Sequence, residues 1–139
     1  MPDARHAAMV VVPSEWTPEM SIGLSEETHE RYFKTLQPGM RILIYKAAPV
    51  NAIVGEGEII DHLMVRVDEW PHISSRERPV TGTGKPADYI LPLRILYERA
   101  SLTYIDLPKV RDWVEQPEFP DVEWQPISSD AYEEFTNWP

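Results

Sequence analysis

The chain has 139 residues, with 13 Lys+Arg against 23 Asp+Glu and a formal net charge of -10. A chain of this length forms one domain that buries roughly 68% of its unfolded surface, and 42% hydrophobic with 26% charged residues is the balance of a folded globular protein, not a disordered one. The absence of cysteine excludes disulfides, thiolate nucleophiles, zinc–cysteine sites and iron–sulfur clusters, no apolar run approaches the roughly 20 residues of a membrane span, and the acidity argues against coating nucleic acid through counterion release.

Residues 1–8 read as a flexible tail, and 9–139 as a single domain ending in an acidic segment over 112–139. Val10, Val11 and Val12 are β-branched and stop at Pro13, which predicts a first strand. The apolar patch Ala7 to Val12 is too short for a secretory leader, so a cytoplasmic protein is expected. Ser25 is placed to cap a helix, with Glu26 and Glu27 in the first turn. His29, Tyr32, Phe33 and Leu36 then share one helical face, and Gln37-Pro38-Gly39 ends it. Ile42 to Tyr45 is apolar throughout and predicts a buried strand. Ile53 to Ile60 predicts another, with Gly55 and Gly57 marking a bulge or a close approach.

Leu63, Val65 and Val67 alternate with polar neighbours, as in a half-exposed strand. Residues 71–88 hold three prolines and two glycines and predict a long loop. Tyr89 to Tyr97 alternates as one long strand in which Pro92 forces a gap or an edge. Leu102 to Ile105 reads as a last strand, Leu107 to Val114 as a helical turn, and Asp130 to Phe135 as a short closing helix. The expected fold class is α+β: a small curved or closed β-barrel of five or six strands with short helices packed at its edges.

The charge is segregated. Residues 1–30 carry -5 and 47–75 carry -4, while 31–46 carry +4 and 76–111 carry +3; the last 28 residues hold eight acids and no base. Two inner stretches are therefore positive, and the acidity is concentrated in the tail.

Catalytic signatures are absent. Thr81-Gly82-Thr83-Gly84-Lys85 resembles part of a phosphate loop, but Pro79 and Pro86 stand where a glycine and a Ser/Thr are required. Four histidines (His6, His29, His62 and His72) show no metal-binding spacing. Glu56 and Glu58 read as a solvated strand face. No enzyme, metal or cofactor is expected. Five tryptophans and six tyrosines carry more information. Trp16, Tyr45 and Trp70 all fall at strand ends, where aromatics can stack a flat base or enclose a methylated group.

The run Leu36-Gln37-Pro38-Gly39-Met40-Arg41-Ile42-Leu43-Ile44-Tyr45, followed by Ile53-Val54-Gly55-Glu56-Gly57-Glu58-Ile59, resembles the EVE domain of the PUA-like superfamily, related to the ASCH and YTH domains. Val11 to Trp16 is similar to the first strand and its exit, and Pro126 to Tyr132 to the closing segment. The chain departs from the pattern at Met40, where Asp is common, and at Lys46-Ala47, where His or Ser often follows the tyrosine. The resemblance implies a PUA-like barrel and a non-catalytic module that takes a flipped, modified nucleobase of DNA or RNA into an aromatic pocket. It implies Ser14, Trp16, Tyr45, Lys46 and Trp70 as ligand-binding residues, with Arg41, Arg76 and Arg78 as phosphate contacts. Two other readings stand beside it. One is an interaction or structural module, monomeric or homodimeric, whose acidic tail engages a basic protein. The other is a small hydrolase acting on RNA or a nucleotide.

Overall fold

A computed structural model of the chain describes residues 7–17, 20–32, 34, 36–47, 50–61, 63–67, 80–98, 123–127, 130 and 132. Eight strands and one helix lie among them: β1 (Ala7–Val12), β2 (Gly23–Leu24), α1 (Glu26–Tyr32), β3 (Arg41–Lys46), β4 (Ala52–Ile59), β5 (Val65–Arg66), β6 (Tyr89–Ile90), β7 (Leu93–Glu98) and β8 (Trp124–Ile127). They form a five-stranded sheet ordered β7-β4-β3-β1-β8 and a three-stranded sheet ordered β2-β6-β5. The class is α+β, and the described strands fall into two sheets.

β1 and β3 run parallel and in register, Ala7 beside Arg41 and Val12 beside Lys46; every other pairing is antiparallel. A parallel pair needs a crossover, which here carries β2 and α1. All six residues of β1 are buried, as in a strand covered on both faces. On one face Val10, Val12, Ile42, Ile44 and Trp124 pack with Trp16, Leu24, Leu36 and Leu91. The alternate residues Met9, Val11, Leu43 and Tyr45 point to the other face and are equally buried. β1 starts at Ala7, within the stretch read from sequence as a tail, and residues 1–6 lie outside the described residues.

Ser25 caps α1 as its position predicts: the Thr28 amide donates to Ser25 Oγ at 3.3 Å, and the His29 amide to the Ser25 carbonyl at 3.0 Å. The described helix spans Glu26–Tyr32, and Leu36, which the periodicity places on its face, is buried in the core. Gly39 takes a left-handed turn (φ 93°) before β3.

The predicted strand over 89–97 is two strands. Ile90 pairs with Gly23 and Val65 in the small sheet, and β7 pairs with β4 in the large one. Pro92 sits at the break, where it has no amide to donate and its carbonyl accepts from the Ile60 amide at 3.0 Å. At Gly57 a Cβ would come within 2.7 Å of the Leu93 side chain, which is the close approach the glycine signals.

Two sequence expectations are corrected. Glu56 is not on a solvated face: it is 3% exposed, and the Tyr132 hydroxyl donates to its carboxylate. Within the acidic segment, Trp124–Ile127 is a strand that pairs with β1, with Ala7 beside Ile127 and Val10 beside Trp124. The composition hid it, because Pro120 precedes it and Pro126 lies inside it; an edge strand tolerates that proline on its unpaired side. The expected elements at Leu102–Ile105 and Leu107–Val114 lie outside the described residues.

Candidate functional site

Because β1 and β3 are parallel and in register, their C-terminal ends open at the same place. The Ala47 amide donates to the Val12 carbonyl at 2.9 Å, carrying the ladder one step past Lys46. The chain leaving β1 turns at once, with the Trp16 amide donating to the Pro13 carbonyl at 3.0 Å. This turn folds the indole of Trp16 back into the core, where it is 2% exposed. Its Nε1–H is buried and has no hydrogen-bond partner among the described residues. An indole nitrogen only donates, and leaving such a donor unpaired costs about 1–3 kcal/mol. Ser14 and Lys46 are half-buried at the same exit, and the Ser14 hydroxyl donates to the Glu15 carboxylate at 3.2 Å.

The turn over 81–85 lies against this end of β1. A Cβ at Gly82 would sit 2.3 Å from the Val11 carbonyl oxygen, so only glycine lets the two backbones approach this closely. The buried Thr81 holds the turn together: its Oγ1 accepts from the amides of Thr83 (3.3 Å) and Lys85 (3.2 Å), its amide donates to the Lys85 carbonyl (2.8 Å), and its carbonyl accepts from Gly84 (2.9 Å). A phosphate loop works by presenting free amides. Here those of Thr83, Gly84 and Lys85 are spent on Thr81, so the motif is a structural turn, as its missing residues predict.

Tyr45 follows Ile44 on β3 and therefore points to the face opposite the Trp16 core. It is fully buried, and its hydroxyl donates to Asn51 Oδ1 at 3.3 Å. Asn51 holds φ 49° in the β3–β4 connection, a conformation asparagine tolerates. The fold thus brings Ser14, Trp16 and Lys46 together at one exit and sets Tyr45 behind the sheet. Arg41 is at the far end of β3, about 16 Å away at 3.3 Å per residue. Trp70, Arg76 and Arg78 lie outside the described residues.

A second polar cluster, which the sequence reading missed, surrounds the start of α1. Glu123 is buried, and its Oε1 accepts from the Ser25 amide at 2.7 Å and from the Thr28 hydroxyl at 2.9 Å. Asp88 Oδ2 accepts from the Glu26 amide at 3.0 Å. On the helix flank, the His29 ring stacks on Tyr89 with centroids 3.7 Å apart and planes 4° from parallel. The Arg66 guanidinium lies 5.5 Å from the Tyr89 centroid. Burial lowers the pKa of His29; Glu30 and Glu26 oppose this and Arg66 adds to it. The sequence signal for this cluster was weak, since a lone acid 98 residues from the helix it caps has no local pattern. Among the described residues no group of three or more His, Asp or Glu is placed to hold a metal ion, and no helix is long and apolar enough to cross a membrane.

No family model and no curated protein matches the chain by sequence. Its fold has relatives among solved structures. The human THYN1 protein, solved in complex with 5-methylcytosine-containing DNA, superposes with a TM-score of 0.63 at 8% identity, covering 93% of this chain and 94% of the other. The DUF55 domain of human thymocyte nuclear protein 1 gives 0.61 at 9% identity over 93% and 95%. An ASCH protein from Zymomonas mobilis gives 0.58 at 13% identity over 96% of each chain. The chain shares the fold of these proteins. The shared fold covers more than 90% of this chain and of each of these three proteins. At these identities the likeness speaks for the fold alone.

Proposed function

We propose that the chain is a non-catalytic, EVE-type module, its two sheets the halves of a curved PUA-like barrel, that binds a modified nucleobase drawn out of DNA or RNA. The observation that carries this reading is the buried, unpartnered Nε1–H of Trp16 at the β1/β3 exit. Buried donors are normally paired, and the exceptions call for an explanation. A base edge supplies the missing acceptor, and the indole supplies the face for stacking. Ser14 and Lys46 are half-buried at the same exit and would complete the polar rim. Two further facts support the reading: the PUA-like fold is shared with a protein solved on 5-methylcytosine DNA, and catalytic motifs are absent from the sequence. Extruding a base costs a few kcal/mol, so stacking and the new hydrogen bond must together exceed that cost.

The test is a tryptophan-fluorescence titration with oligonucleotides carrying 5-methylcytosine or plain cytosine at one position. Tighter binding of the modified strand is expected. Trp16→Phe keeps a stacking ring and deletes the donor; it should weaken the modified strand about 2- to 10-fold, the worth of one neutral hydrogen bond. Equal affinity for both strands, together with an unaltered Trp16→Phe variant, sinks the proposal.

A further inference from the structure

The two positive stretches of the sequence meet at one place in the fold. Arg41 comes from the first and Arg94 from the second. In the large sheet Arg41 stands directly beside Glu58, and Glu58 directly beside Arg94, in a straight row across β3, β4 and β7. Glu58 gives one oxygen to each: Oε2 lies 3.7 Å from Arg41 Nη2, and Oε1 lies 3.2 Å from Arg94 Nη2. Two guanidinium charges against one carboxylate leave the row one net positive charge. The arginine side chains are 41% and 63% exposed, while Glu58 between them is 24% exposed.

We propose that Arg41 and Arg94 form a phosphate-binding pair for the nucleic-acid backbone, with Glu58 as the positioning residue that holds both guanidinium planes. This deepens the function proposed above and rests on it. A guanidinium carries five N–H donors in a fixed fork suited to phosphate. With one nitrogen of each placed on Glu58, the others remain for a ligand. The arginines are two strands apart, roughly 9–10 Å between backbones, so both can reach one phosphate or two neighbouring ones. The row lies about 16 Å along β3 from Lys46 and on the Tyr45 side of the sheet. It therefore contacts the backbone flanking the extruded base, not the base itself. Such contacts set orientation and salt dependence and carry no sequence information.

Three full-length variants, Arg41→Ala, Arg94→Ala and Glu58→Gln, test this on the same modified and plain oligonucleotides across a salt series. Each arginine variant should weaken both strands by the same factor and reduce the slope of log K against log salt by about 0.7 for single strands or 0.9 for duplex. Glu58→Gln removes the competing negative charge and should tighten both strands equally. A merely structural ion-pair row predicts no change in slope and no gain from Glu58→Gln; that result overturns the inference, even where the modified strand is still preferred. Arginine-dependent binding without preference for the modified base upholds the phosphate pair and defeats base recognition. If the unaltered protein binds neither strand, both proposals fall.

Discussion

The start of α1 and the exit of β1 are both buried polar sites, and they are built in opposite ways. At the helix, Ser25, Asp88 and Glu123 satisfy the Glu26 amide, the Thr28 amide and hydroxyl, and the Ser25 amide, drawing on three distant parts of the chain. At the strand exit, one indole N–H is enclosed without an acceptor. A fully paired cluster stabilises, because removing either partner strands the other. A cluster with one member unpaired gives up stability that a ligand can restore. The first site holds this protein together, and the second is the one proposed to meet a partner.

The largest effect is expected at the helix. Glu123→Gln replaces a buried carboxylate that accepts two hydrogen bonds with a neutral amide. The loss should be about 3 kcal/mol, since hydrogen bonds to charged groups contribute about 1.5–3 kcal/mol each and part of this survives in the amide. Thermal denaturation would register it as a fall of roughly 10 °C for a domain of this size. An unchanged melting temperature would mean that the acidic segment is a solvated appendage after all. Truncation at Arg111 is a poor substitute for this variant, because it also deletes β8 from the sheet.

Gly82→Ala comes next. Its new methyl would press on the Val11 carbonyl at 2.3 Å, so the turn or the end of β1 must move. Overpacking of this kind costs about 1–3 kcal/mol, measurable by urea denaturation. The comparison sharpens if this variant also alters base binding, because Val11 lies one residue before the exit. Trp16→Phe should change stability less than either of these. Removing a stranded donor gains about 1–3 kcal/mol, and the smaller ring leaves a void that costs a comparable amount. Loss of binding with little loss of stability is the signature expected of the strand exit alone.

Local patterns were legible in the sequence and long-range ones were not. The Val10–Val12 strand, the Ser25 cap and the interruption at Pro92 all follow from short-range chemistry, and each is present. Trp16, Tyr45 and Trp70 were picked from strand-end position. Strand-end position could not assign faces, so Tyr45 was grouped with Trp16 although alternation puts them on opposite sides of β3. β8 was missed because its support is the parallel-paired β1, 114 residues away at the Val10–Trp124 pair, and nothing in Trp-Gln-Pro-Ile announces that partner. Glu56 and Glu58 look alike in sequence, yet one is sealed under Tyr132 and the other bridges two arginines. Which acid was buried depended on what the fold laid over it.

The smallest effect, and the subtlest probe of the helix site, is its pH dependence. His29 lies flat on Tyr89 with Arg66 on the same ring, and burial lowers its pKa below the ordinary 6.5, with Arg66 acting in the same sense against Glu30 and Glu26. A histidine with a lowered folded pKa favours folding while it is neutral. Between that lowered value and 6.5 the unfolded chain binds the proton and the folded chain does not, so stability should be complete above pH 6.5 and decline as the pH falls through it. His29→Phe keeps the stacked ring and removes the titration. Melting temperatures of the two proteins measured from pH 8 to pH 5 should therefore diverge below 6.5, the unaltered protein falling faster. Parallel curves would show that the stack holds the imidazolium as well as the imidazole, and that the α1 site is indifferent to charge on its flank.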